Sequence, residues 1–177
     1  ISILPSSLLL VSETTHPRIE QVLVRMDFSK MSELAVRMAL QLREYTGTKI
    51  ECHHVYKLPL EYFPQGSPEK DQKLLDHVDR YSEKEYKKFL KRFNLGEEEI
   101  TFTNSLDPEN DEAHMLYKQA LTIGADIILI GSKIKSELAD IIIDSTSEKL
   151  AATEKNIPVL IIKDRKQSIG FLKALFK

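Results

Sequence analysis

The sequence predicts an α/β protein whose parallel sheet is covered on both faces, and three observations carry that prediction. Short apolar, β-branched runs alternate with amphipathic stretches of helical period in the order β-α-β-α-β-α-β-α-β. Helices of this length between strands give right-handed crossovers, which set the strands parallel. One run, "ADIILIGS" at 125–132, is almost continuously apolar, as a strand buried on both faces must be.

Each element follows from its own pattern. "QVLVRMD" (21–27) is a β-branched run that stops at Asp27. Met31, Leu34, Ala35, Met38 and Leu42 then share one helical face, with Ser29 or Ser32 as cap and Gly47 as stop. "KIECHHVYKL" (49–58) reads as the next strand, and Pro59, Pro64, Gly66 and Pro68 mark a loop. A long helix from about Glu69 to Phe93 carries the stripe Leu74, Leu75, Val78, Tyr81, Tyr86, Phe89, Leu90 and Phe93. "EITFTNS" (99–105) is a strand, and Ala113, Leu116, Ala120 and Ile123 line the helix after it. Beyond the apolar strand at 125–132, a short helix spans 145–155 and "IPVLIIK" (157–163) is the last strand.

Composition bounds the function. A chain of 177 residues, 42% hydrophobic, is long enough for one well-buried domain and short for two. The net charge of -2 gives no overall attraction for nucleic acid. The single cysteine, Cys52, excludes an internal disulfide and fits a reducing compartment. "ISILPSSLLLVSE" at the start is apolar but lacks the basic n-region of a secretory signal, so the expected location is the cytoplasm.

In open α/β sheets, ligands sit at the carboxyl ends of the strands, where the strand order reverses. Asp27, the loop after Val55, and Gly131 with Ser132 all lie at such ends. The stretch "ILIGSKIKSELADIIIDSTSEKL" (128–150) runs from strand to glycine, through a polar loop, to Ser145-Thr146-Ser147 at a helix start. That is the layout of a phosphate-binding corner.

"VLVRMDFSKMSELAVRMALQL", "HHVYKLP", "ALTIGADIILIGSK" and "DSTSEKLAATEKNIPVLIIK" together resemble the universal stress protein family over roughly residues 19–164. The resemblance implies a flavodoxin-like, Rossmann-like three-layer sandwich with five parallel strands ordered 3-2-1-4-5. It also implies frequent dimers through the fifth strand, here Val159 to Ile162. One branch of that family binds ATP and another does not. In the ATP-binding branch an aspartate at the Asp27 position lies beside the nucleotide, and the backbone at Val55 meets the adenine edge.

The ATP-binding branch carries Gly, two residues, Gly, nine residues, then Gly followed by Ser or Thr. Here Gly131 fills the first position, Ile134 the second, Asp144 the third and Ser145 the hydroxyl position. Glycines let backbone approach phosphate, often at positive φ. Ile134 is β-branched and resists that conformation. Asp144 sets a carboxylate where a phosphate would meet the helix N-terminus, and two like charges at a few ångströms repel by about 4 kcal/mol at an effective dielectric near 20. A bound Mg²⁺ would reverse that sign by taking Asp144 as a ligand. The expectation is a degenerate nucleotide site built on Asp27, Val55, Gly131, Ser132, Ser145 and Thr146, with ATP and Mg²⁺ as the alternative cofactors. The same serines also suit a capping box, Ser145 as N-cap and Glu148 reaching back.

No other chemistry stands out. His53 and His54 are adjacent on a strand and point to opposite faces, so one metal cannot readily take both. Cys52 lacks the local signature of a nucleophile, and no G-x-S-x-G, complete P-loop or G-x-G-x-x-G occurs. The chain therefore reads as a non-catalytic stress-response regulatory module, with an ATP-binding sensor as the alternative and an enzyme as the least favoured class.

The flanks lie outside that core. "ILPSSLLLVSETT" (3–15) is similar to "NIPVLIIKDRK" (156–166): proline, short apolar strand, polar residues. Residues 1–18 are read as the tail of a preceding copy, as an added strand imitating one, or as an ordinary N-terminal strand. In the tail 165–177, Ile169, Leu172, Leu175 and Phe176 lie on one stripe among Arg165, Lys166, Lys173 and Lys177. That suits a membrane surface or partner groove, and the short length and Gly170 favour docking on its own domain or a sister subunit. The partners expected are a second copy, or a tandem domain forming a pseudo-dimer, together with an unidentified protein and no nucleic acid.

Overall fold

The computed structural model describes residues 7–11, 19–58, 68–132, 145–152 and 156–163. The tail 165–177 and the loop bearing Lys133, Ile134, Lys135 and Asp144 lie outside them.

Among the described residues, six strands and four helices follow in the order β1 (Leu8–Leu10), β2 (Gln21–Arg25), α1 (Lys30–Thr46), β3 (Lys49–Tyr56), α2 (Pro68–Leu90), β4 (Thr101–Leu106), α3 (Glu112–Ile123), β5 (Ile127–Gly131), α4 (Ser145–Ala152) and β6 (Val159–Ile162). A 3-10 turn, Lys91–Phe93, ends α2. Across the sheet the order is β1-β6-β5-β2-β3-β4. Numbered among themselves, the five parallel strands β2 to β6 run 3-2-1-4-5, as the family resemblance implies.

β1 is the departure. It pairs antiparallel with β6, so the sheet has six strands rather than five and is mixed rather than wholly parallel. Val159–Ile162, the strand through which the resemblance implies association, carries the chain's own Leu8–Leu10 on its outer side. Leu8–Leu10 thus form a strand, which each of the three readings of the N-terminal segment allows.

Strand alternation sorts the core into two layers. Val22, Val24, Met26, Ile50 and Cys52 face Ala35, Val36 and Ala39 of α1 and Tyr86, Phe89 and Leu90 of α2. Leu23, Ile128, Ile130, Val159 and Ile161 face Leu116 and Ala120 of α3 and Leu150 of α4. β5 is buried along its whole length, as its apolar run requires. Cys52 lies fully inside, and burial, with Glu51 next, pushes its thiol up and leaves it inert.

Local chemistry sets the helix ends. The Ser29 hydroxyl accepts from the amides of Met31 at 3.1 Å and Ser32 at 3.4 Å and starts α1. Gly47, at φ 71°, stops it with its amide on the Arg43 carbonyl. In α2 one expected core position moves: Tyr81 is 60% exposed, and Ser82 beside it is buried instead. A small hydroxyl fits there, a turn ahead of Tyr86, whose own hydroxyl donates to the Ile100 carbonyl at 3.1 Å. Ser145, the expected cap of α4, is itself helical, and the residues before it lie outside the described ones.

Candidate functional site

The carboxyl ends of β2 and β5 adjoin, because Val24 pairs with Leu129. Asp27, Gly131 and Ser132 therefore meet at one corner, as their positions at strand ends imply. Asp27 closes a turn: its Oδ1 accepts from the Ser29 amide at 2.9 Å and from the Ser32 hydroxyl. Partial desolvation works against its ionisation, but the Ser29 and Ser32 side chains, the Ser29 amide and the Arg25 charge outweigh that. The carboxyl is held below the usual range. The turn throws Phe28 to φ 59°, and its ring lies 4.8 Å from the His54 ring and 6.2 Å from that of Phe102.

Gly131 has a packing reason to be glycine. A Cβ there would sit 2.0 Å from the Met31 carbonyl oxygen, since the first turn of α1 lies directly on the end of β5. Ser132, buried beside it, donates its amide to the Ile162 carbonyl at 3.0 Å. Val55 is half-buried near the end of β3, opposite Ser105 of β4, and packs with the α3 layer.

At the start of α4, Ser145 is exposed and Thr146 is buried. The Thr146 hydroxyl donates to Glu112 Oε2 at 2.9 Å. Glu112 in turn receives a two-pronged hydrogen bond from Arg25, Nε to Oε1 at 2.6 Å and Nη2 to Oε2 at 3.0 Å. Beside this clasp, Lys149 Nζ lies 3.3 Å from Asp111 Oδ1, which caps α3. A carboxylate of the protein thus already faces the first turn of α4, where an anion would be favoured.

A second polar cluster lines the α3 side of β3 and β4. Glu51 Oε1 accepts from the Thr103 hydroxyl at 2.6 Å and from Gln119 Nε2 at 2.7 Å. Thr103 has one proton and gives it to Glu51, so it accepts from His53 Nδ1 at 2.7 Å. The neutral ring then presents a lone pair at Nε2, which accepts from Ser105 Oγ at 2.9 Å. Burial, then the His54 charge, pushes the imidazole down to about 4. The chain Ser105–His53–Thr103–Glu51 has the polarity of a nucleophile relay, but an imidazole this weakly basic does not activate a serine near neutral pH. His54 points to the other face, its Nδ1 2.8 Å from the Met26 carbonyl oxygen. The pair thus lies on opposite faces, as strand alternation demands. Among the described residues, no group of three or more His, Cys, Asp or Glu side chains could hold a metal ion.

Sequence reasoning passed over Arg25, Glu112, Glu51, Thr103, Ser105 and Gln119. Two signals were there to find. Arg25 is a charge at the carboxyl end of an otherwise apolar strand, and Glu51/His53 alternate in step with Thr101/Thr103/Ser105 on the next strand.

Residues 18–163 match the model of the universal stress protein family. The chain belongs to that family. A curated relative, the stress response protein NhaX of Bacillus subtilis (strain 168), is 44% identical over 55 residues, 31% of this chain and 32% of that protein. The aligned segment thus spans about a third of that relative's length. A universal stress protein family structure from Burkholderia pseudomallei is similar at TM-score 0.52 and 21% identity, over 81% of this chain and 95% of its own. A longer universal stress protein from Pseudomonas aeruginosa UCBPP-PA14 is similar at TM-score 0.63 and 14% identity, over 98% of this chain but 58% of its own. These likenesses establish the stress-protein fold. No helix among the described residues is long and apolar enough to cross a membrane.

Proposed function

We propose that this stress-protein domain is a non-catalytic regulatory module whose nucleotide corner has drifted, and that it works by association with another domain rather than by chemistry. One observation carries the reading: the Thr146 hydroxyl at the start of α4 is engaged by the Glu112 carboxylate, itself clasped by Arg25. An incoming phosphate would have to displace that carboxylate or lie beside its charge, an unfavourable arrangement without a cation. Ile134 and Asp144, where ATP-binding relatives of this type carry glycine, add bulk and a second negative charge. The weak base at His53 argues in the same direction, away from hydrolysis.

The second reading, an adenine-nucleotide sensor, is favoured by Asp27, kept ionised at the corner where Gly131 and Ser132 also lie. Mg²⁺ bridging Asp144 to a phosphate would offset the repulsion. Isothermal calorimetry with Mg-ATP separates the two. The wild-type protein should bind no more tightly than the millimolar range, and Ile134→Gly with Asp144→Gly should bring measurable binding. Submicromolar affinity in the wild type would refute the drifted-site reading in favour of the sensor.

A further inference from the structure

Arg25, Glu112 and Thr146 come from three elements, and a carboxylate is the point at which they meet. Arg25 ends β2, Glu112 is the first residue of α3 and Thr146 the second of α4. Glu112 Oε1 accepts from Arg25 Nε at 2.6 Å. Its Oε2 accepts from Arg25 Nη2 at 3.0 Å and from the Thr146 hydroxyl at 2.9 Å. A planar guanidinium fork joined by a hydroxyl is a donor set suited to a two-oxygen anion. Here the anion is a side chain of the same protein.

The start of α3 does not need this carboxylate. Asp111 caps that helix, its Oδ1 accepting from the His114 amide at 3.3 Å. The hydrogen bonds of Glu112 reach across to β2 and α4 instead. Asp111 reaches the same way, to Lys149 Nζ at 3.3 Å, one turn further along α4. Two consecutive carboxylates are thus laid along the start of α4. The clasp also borders the corner of Gly131 and Ser132, because Arg25 stands two residues before Asp27 and its charge helps to hold that carboxyl down. The Arg25 and Glu112 side chains are each 16% exposed, so the clasp is open to solvent at its rim.

We propose that Glu112 is a resident self-ligand: Arg25 and Thr146 form a receptor for a two-oxygen anion, a carboxylate or a phosphate, and Glu112 occupies it and keeps such ligands out. A tethered carboxylate holds the receptor at high effective concentration, so a free anion must compete with it. To admit one, Glu112 must swing aside from the first turn of α4. The inference rests on the reading of this corner as no longer a nucleotide site, and it names the group that closes it.

Removing the side chain and returning its head group tests this. Glu112→Ala should melt below the wild type in sodium chloride. Sodium acetate or inorganic phosphate, at the same ionic strength, should then raise its midpoint by about 3 °C or more at a tenfold excess over the dissociation constant. The wild type should respond no more than it does to chloride. A response to acetate alone marks a carboxylate receptor, to phosphate alone a phosphate receptor, and to both a shared one; each supports the proposal. No response to either, or the same response in Glu112→Ala with Arg25→Met, overturns it. If Glu112→Ala does not fold, Glu112→Gln keeps the shape of the side chain and removes its charge. Calorimetry with inorganic phosphate should then show binding at least tenfold tighter than in the wild type, and equal binding overturns the proposal. Mg-ATP calorimetry on the wild type reads the nucleotide corner separately. Weak ATP binding together with no anion response overturns the self-ligand and leaves the drifted-site reading standing.

Discussion

His53 is a histidine inside the sheet layer with both ring nitrogens occupied, and its protonation is therefore coupled to folding. Its imidazole titrates at about 4 in the folded protein and near the ordinary 6.5 when the chain unfolds. Between those values the unfolded state binds the extra proton, so stability rises with pH and is lost as pH falls from 6.5 toward 4. From pH 7 to pH 5 the loss from this group is about 2 kcal/mol. Urea denaturation at the two pH values should show it, and His53→Gln should flatten that segment of the profile. An unchanged slope in the variant would mean that the ring is not buried as described. Asp27 has the opposite sign of shift: its depressed carboxyl contributes stability above its ordinary value of 3.8 that is lost only in more acidic solution. The two effects occupy different windows and can be read apart.

Among the elements, the contact between α1 and β5 rests on a missing side chain. Gly131 is not in the left-handed region, so its need is space rather than backbone freedom. A methyl group there meets the Met31 carbonyl, part of the first turn of a helix that Ser29 and Gly47 hold at both ends. Neither backbone can yield without shifting α1, so Gly131→Ala should destabilise by about 3 kcal/mol or more. Thermal unfolding that is unchanged would show that α1 has room to move. The same glycine illustrates what the sequence revealed and what it hid. Its place at a strand end was legible from the apolar run before it, and so were the parallel strands and the Ser29 and Gly47 ends of α1. The physical reason for it was not, because the Met31 carbonyl lies a hundred residues away along the chain. The Arg25–Glu112–Thr146 clasp was hidden for the same reason, joining three elements that no local pattern connects. Tyr81 and Ser82 exchanged their expected roles because a helical stripe leaves the angle of its edge residues to the tertiary packing.

At the scale of the whole molecule, the sheet is unequal along its width. β2 and β5 lie at its centre, flanked on both sides and buried on both faces. β4 closes one side with six paired residues on β3 and half-buried side chains, whereas β1 closes the other with three pairs and an exposed Leu9. Opening β1 costs few contacts and leaves both core layers intact, so it should occur without global unfolding. Opening β2 or β5 dismantles both layers at once. Native-state hydrogen exchange should therefore find Val22 to Val24 and Ile128 to Ile130 exchanging only by global unfolding. The amides of Leu8 to Leu10, and those of β6 that β1 protects, should exchange through a much smaller opening with little dependence on denaturant. Added denaturant should raise the exchange of the central strands steeply and leave β1 nearly flat. If β1 instead exchanged together with β2 and β5, it would be a full member of the folding unit rather than a strand laid on its edge. The seal over β6 would then open only with the whole domain.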